Sequence, residues 1–471
     1  MGNSALNRAR TLPSRAVTIA LAICVISVGL VASAVGGDND RPAAKPKSDA
    51  SADAVARIVR AVREPGSARL SMSKALLGKS DHESRPRKPR GPKPRIFAAV
   101  TDWPHLYFVR SKTSLDSERT FENGTTPLTL VRKDLTSGAE TRLLRIRGAT
   151  VNALRAGGGR AMVSLVRTSE SRGNTRINTR IVAFEAGSTA AKTISVVTGS
   201  SPTGNDLFDD KLCGRIAVLA GVADTGEAIV NRLTGTCSAD GQHTYALETV
   251  AIGLDGAVRV LQINNTQLYL IAFGRATLTG TRLLQSAPFL QSVTQVDTAT
   301  ASLSRLWNGD FAATVAQAAD GTVAVAGTYL ATLAGESGDL FEVDSGDDYD
   351  QRDATPDPFV LFPLGDRDQP IEIAPGLPGR LALHYCGASL YELQATRKVE
   401  LDGISALLSL VNGGLPRAGK IRVNLRDARG ALIREVAITD GAWVRDIACD
   451  GETLVLATSS GATSSATRYG P

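Results

Sequence analysis

The chain has 471 residues, of which 43% are apolar, and a formal charge of +6. That apolar share excludes a disordered chain and suits a sizeable core. The charge divides as +3 over residues 1–37 and +8 over 38–96, which leaves −5 on 97–471; an acidic body behind a basic leader argues against a nucleic-acid-binding domain.

Arg8, Arg10 and Arg15 precede an uncharged apolar run from Ala16 to Val35 that ends in Ala32-Ser33-Ala34. A basic flank, an apolar stretch and small residues at the exit describe a secretory signal. Twenty helical residues at about 1.5 Å each also reach across a bilayer core of roughly 30 Å. Cleaved signal and retained anchor therefore both stay open, and either exports the rest of the chain because the positive flank remains inside. Cys24 lies within the run with no lipobox-like small residue immediately before it and is not read as lipidated.

Residues 38–96 form a basic, Pro-rich linker. Arg85 to Arg95 alternates proline with like charges and is expected to be extended. Val55, Ile58, Val59 and Val62 recur at helical spacing opposite Arg57, Arg60 and Arg63, which predicts a short amphipathic helix ended by Pro65-Gly66.

From residue 97 onward the pattern changes to short Val, Ile, Leu and Thr runs separated by turn residues, and it repeats. One unit is an alternating strand, a tight turn and a second alternating strand. Its copies are Ala98–Val109, Asn152–Leu165, Leu212–Ala220, Leu261–Ile271, Val315–Ala326, Leu383–Leu393 and Asp446–Leu456, with turns near 103, 158, 214, 266, 321, 387 and 451. A second, more charged hairpin lies between them at Leu130–Ile146, Ile181–Val197, Val250–Leu261, Val293–Leu306, Val360–Ile373 and Val423–Ile438. Two hairpins make a four-stranded antiparallel sheet, and radial repetition of such sheets gives a propeller, whose ring protects strand edges.

The reading is thus an all-β chain, a β-propeller of four-stranded antiparallel blades over 97–471. Seven blades are expected, with six and a spare hairpin as the alternative. After Leu456 only one more strand fits, so a segment near 66–80 is expected to complete the last blade. The repeats resemble those of extracytoplasmic propellers of the TolB or WD40-like type. No copy has a Gly-His and Trp-Asp pair or a kelch double glycine, so the resemblance implies architecture and carries no functional residue across.

Four cysteines lie in the body, and an even number in an exported chain implies two disulfides. Cys213 with Cys237, both in one blade, and Cys386 with Cys449, at equivalent turns of adjacent blades, are the expected pairs among three possible connectivities. His82, His105, His243 and His384 are scattered and no C-x-x-C spacing exists, so no metal ligand is assigned, although His384 stands beside Cys386. The acidic stretch Glu342 to Asp357 offers calcium-type oxygen ligands but misses the EF-hand order and is read as a solvated insertion.

Neither a Gly-x-Ser-x-Gly elbow nor a His-Glu-x-x-His or Walker-type motif occurs, and Gly157-Gly158-Gly159 is a hairpin turn. No catalytic residue and no cofactor is assigned. The leading reading is an exported, monomeric, non-catalytic scaffold of the cell envelope that binds a protein, glycan or peptide, without nucleic acid. A propeller enzyme (hydrolase, lyase or cyclase) acting at the central channel and a sensor ectodomain held by an uncleaved helix are the alternatives.

Overall fold

The structure is a computed structural model that describes residues 95–470 apart from interruptions, the longest at 112–126, 203–212, 265–274, 328–357 and 401–414. The apolar run 16–35, the basic linker, the segment near 66–80, and the acidic stretch lie outside the described residues. No helix among the described residues is long and apolar enough to cross a membrane.

Strands follow one another as antiparallel sheets in chain order. Blade 1 holds β1 (Arg95–Asp102), β2 (His105–Ser111), β3 (Leu128–Asp134) and β4 (Glu140–Ile146). Blade 2 holds β5 (Thr150–Gly157), β6 (Arg160–Ser171), β7 (Asn174–Glu185) and β8 (Lys192–Pro202); blade 3 holds β9 (Cys213–Val222), β10 (Ala228–Cys237), β11 (His243–Ile252) and β12 (Val258–Asn264). Blade 4 holds β13 (Arg275–Thr279), β14 (Arg282–Ser286), β15 (Ser292–Asp297) and β16 (Ser302–Asn308), and blade 5 holds β17 (Ala313–Gln317), β18 (Val323–Gly327), β19 (Phe359–Phe362) and β20 (Ile371–Ala374). Blade 6 is β21 (Arg380–Cys386), β22 (Ser389–Ala395), β25 (Lys420–Arg426) and β26 (Leu432–Asp440), with the small pair β23 (Val399–Glu400) and β24 (Arg417–Ala418) inserted. Blade 7 has β27 (Trp443–Asp450), β28 (Thr453–Ser460) and β29 (Thr463–Tyr469) among the described residues.

First strands lie side by side: β1 packs on β5, β5 on β9, β9 on β13, β17 on β21, β21 on β27, and β27 returns to β1. That radial order is a β-propeller, and its core is divided into seams. Each seam is apolar because strand alternation points every second side chain at the neighbouring blade. Leu154, Val163, Val182 and Phe184 of blade 2 meet Tyr107, Val109 and Leu130 of blade 1. Equivalent clusters fill the seams between blades 2 and 3, 3 and 4, 4 and 5, 5 and 6, and 6 and 7.

The seam that returns from blade 7 to blade 1 differs. Its buried apolar cluster draws only Ala457 from blade 7, against Ile96, Ala99, Leu106, Phe108 and Val131 of blade 1. Polar bonds supplement it: the Thr101 N–H donates to Asp446 Oδ2 (2.8 Å), Arg445 Nη2 to the Ile96 carbonyl (3.3 Å) and Lys133 Nζ to the Ser464 carbonyl (3.4 Å). Arg468 also stacks over Trp103, 4.8 Å from the ring centroid. Among the described residues, blade 7 thus meets blade 1 through β27, β28 and β29, by the Ala457 contact, these three hydrogen bonds and the Arg468 stack.

All six charged outer hairpins form where the sequence predicts them, and five of the seven inner ones do. The other two are displaced. In blade 3 the turn is at 223–227, not near 214: Cys213 to Ala220 lies in a single strand, and Gly214 (φ +92°) is needed because β8 runs so close that a Cβ there would strike the Thr198 carbonyl. In blade 4 the inner hairpin is β13–β14 with its turn at 280–281; the turn expected near 266 lies outside the described residues, and Leu261 belongs to outer strand β12.

A recurring clasp joins the inner turns. Arg160, first residue of β6, donates Nη1 to the carbonyls of Thr225 (3.2 Å) and Gly226 (2.7 Å) in blade 3. Arg282, first residue of β14, lies over Gly321 of the next blade in the same way and donates to the Leu364 carbonyl. Gly226 has φ +77°, and a methyl group there would collide with the Arg160 guanidinium. Gly226→Ala is accordingly expected to cost about 1–2 kcal/mol, from the positive φ and the displaced arginine, measured by urea unfolding; an unchanged midpoint would show that the clasp is slack.

Candidate functional site

The ring is uneven, and its most distinctive surface is an arm on blades 2 and 3. Strands β6 and β7 have 12 residues each, whereas the inner strands β17 and β18 have five. The extra length is encoded in β7: Thr175, Ile177, Thr179 and Ile181 are buried and alternate with Arg176, Asn178 and Arg180 on the other face. Beyond the main core, Ile177 and Ile216 pack with Val166 and Leu233 as a small second core that supports the arm. Strand β8 pairs directly with β9 through Gly199–Gly214 and Ser200–Cys213. The Cys213–Cys237 disulfide, Cα atoms 5.5 Å apart, then ties β9 to β10 at its far end.

The outward face of the arm carries exposed Arg167, Arg176 and Arg180 between hydroxyl and amide groups. Asn178 Nδ2 donates to Thr198 Oγ1 (3.1 Å), Arg180 Nε to Thr193 Oγ1 (2.8 Å) and Arg167 Nε to the Gly148 carbonyl (2.9 Å). A flat, rigid sheet with forked donors can receive carboxylate or phosphate groups of a partner.

Acids on the first strands are occupied in joining blades. Asp446 accepts the Thr101 N–H across the closing seam. Asp102 accepts the backbone N–H groups of Gly159 and Arg160 in blade 2; its carboxyl is nevertheless held above the ordinary value because burial outweighs those bonds and the nearby His105. Burial, helped by the Asp102 charge and opposed by Arg132, pushes the Tyr107 phenol up to about 12. His105 Nδ1 and the Tyr107 hydroxyl are buried without a hydrogen-bond partner.

The second expected disulfide also forms. Cys386 of β21 and Cys449 of β27 are bonded, Cα atoms 5.4 Å apart, across the seam between blades 6 and 7. His384 stands on the same face of β21 as Cys386, and the donor atoms of His384, Cys386 and Cys449 all lie within 4.8 Å of one another. The two sulfurs are spent on each other in this state. His105 and His243 open β2 and β11, far along the chain from that group.

Sequence reasoning missed a buried ion cluster between blades 5 and 6. Glu392 of β22 is 1% exposed, Arg380 of β21 0% and Arg426 of β25 7%. Arg380 Nε donates to Glu392 Oε1 (2.7 Å), while Arg426 Nε (2.9 Å) and Nη2 (2.7 Å) and Asn424 Nδ2 (3.3 Å) share Oε2. Both guanidinium carbons lie 5.5 Å from the Phe359 ring centroid. Burial alone would raise the Glu392 pKa, but the charges and hydrogen bonds of Arg380 and Arg426 together hold it below the usual carboxylate range. One signal was available: Glu392 is a lone charge inside the apolar run Leu390-Tyr391-Glu392-Leu393.

No family model and no curated protein matches the chain. Solved structures that resemble it include the acylaminoacyl peptidase of Pyrococcus horikoshii (11% identity, 80% of this chain and 50% of that one, TM-score 0.43). Others are the β-propeller domain of the Trilobed protease from Pyrococcus furiosus (10%, 81% and 94%, 0.43) and a putative 6-phosphogluconolactonase of Bacteroides fragilis (12%, 82% and 95%, 0.37). The chain spans about half the length of the acylaminoacyl peptidases it matches. The fold assignment rests on the sheet order and the seams between blades.

Proposed function

We propose that the chain is an exported, seven-bladed binding module of the cell envelope, monomeric and non-catalytic, that engages its partner with the arm of blades 2 and 3. The arm carries the reading: a ring needs no such extension for closure, yet this one is lengthened, given its own apolar support and stapled by a disulfide. Two disulfides are compatible with an oxidising compartment. The basic leader and its apolar run support export, with a retained helix as the membrane-held variant.

An enzyme acting near the channel is the second reading, and the cluster of Asp102, His105 and Tyr107 is what favours it. Asp102 and Tyr107 are buried titratable groups with displaced pKa values, a feature found at acid–base sites. The two readings separate experimentally. A photoreactive residue in place of exposed Ser169 is expected to trap a partner in intact cells, and Arg176→Glu with Arg180→Glu is expected to reduce the adduct about tenfold. Absence of any adduct, together with turnover of ester, lactone or peptide substrates that Asp102→Asn abolishes, would overturn the binding reading in favour of the enzyme.

A further inference from the structure

We infer that the seam between blades 5 and 6 holds a small inorganic anion of the halide class against the Arg380 guanidinium. Arg380 exposes no surface, and both its Nη1 and Nη2 are buried without an acceptor among the described residues. Glu392 does not reach them. Its Oε1 receives Arg380 Nε and its Oε2 already takes three donors from Arg426 and Asn424, while Arg426 Nη1 is satisfied by the Gly430 carbonyl (2.7 Å). Among the described residues Glu392 is the one carboxylate ion-paired with either guanidinium, so the cluster carries two positive charges against one negative.

Buried charges are retained when they are paired and their hydrogen bonds met; here two guanidinium groups share one carboxylate, and Arg380 keeps two nitrogens without an acceptor among the described residues. Phe359 offers its ring to both cations but accepts none of the in-plane N–H groups. A water molecule supplies lone pairs without charge; a halide supplies both. Full enclosure limits the occupant to a small ion that enters as the seam opens.

The test uses the purified full chain at constant ionic strength. Replacing gluconate by chloride is expected to raise the melting temperature, saturably at the site and by about 2 °C per tenfold increase above the dissociation constant. Arg380→Met, which leaves a balanced Glu392–Arg426 pair, is expected to remove that dependence. Crystals grown in bromide are expected to show an anomalous peak within hydrogen-bond reach of Arg380 Nη1 or Nη2. Coincident chloride and gluconate curves, an unchanged dependence in Arg380→Met, or a bromide crystal with water alone at the site each overturns the inference. Should Arg380→Met fail to fold, the wild-type chloride series and the bromide crystal decide by themselves.

Discussion

Replacing Glu392 by glutamine is expected to destabilise the folded chain by about 3–5 kcal/mol, the largest single-residue effect foreseen, because it removes the carboxylate that pairs two buried guanidinium groups. Chemical denaturation measures it directly. Replacing all three members, as Arg380→Met, Glu392→Leu and Arg426→Met, is expected to cost far less or to stabilise, since no buried charge is then orphaned. The contrast separates a need for charge balance from a need for the ions themselves. A Glu392→Gln protein as stable as the wild type would mean that water reaches the cluster and screens it.

The same group sets a direction for pH. Glu392 has a folded pKa below its unfolded value of about 4.5, so the stability it contributes is fully present above that unfolded value. It is lost as pH falls through the depressed folded pKa. Acid unfolding of the wild type is thus expected to be steeper than that of the triple apolar variant, which has no such carboxylate to protonate.

Removal of the Cys386–Cys449 disulfide is expected to cost about 4 kcal/mol. Its partners are 63 residues apart, and the loop-entropy relation gives that magnitude. The site of the loss matters more than its size. Among the described residues, blade 7 reaches blade 1 with one buried alanine and a set of polar bonds, and it is fastened to blade 6 by a rich apolar cluster and the disulfide. Cys386→Ala with Cys449→Ala should therefore accelerate amide exchange first in β27, β28 and β29, ahead of blades 2 and 3. Removal of Cys213 and Cys237 should instead loosen the arm and spare blade 7. Uniform acceleration in both double variants would contradict this division.

The outer hairpins were legible because their turns are made locally. Asp134 Oδ1 accepts the N–H groups of Thr136 and Ser137, Asp297 Oδ1 that of Ala299, and Asp427 Oδ1 those of Arg429 and Ala431. A carboxylate two to four residues from its donor leaves a readable spacing. The inner hairpins of blades 3 and 4 lacked that mark. Gly214 has the look of a turn glycine, yet what requires glycine is the approach of Thr198 from the preceding blade.

By itself the sequence determined the all-β character, the alternation that gives each strand two faces, the outer turns, and the cysteine pairs, because each depends on residues close in the chain or on a small count. Only the tertiary structure decided which blades share a seam. Alternation tells a side chain which way to face and leaves open what it meets. Thr101 and Asp446 are 345 residues apart, and Arg380, Glu392 and Arg426 come from three strands of one sheet turned toward the next. The first pair meets only where β27 returns to β1, and the triad, formed within blade 6, is buried only where blade 5 packs on it and makes unpaired charge costly.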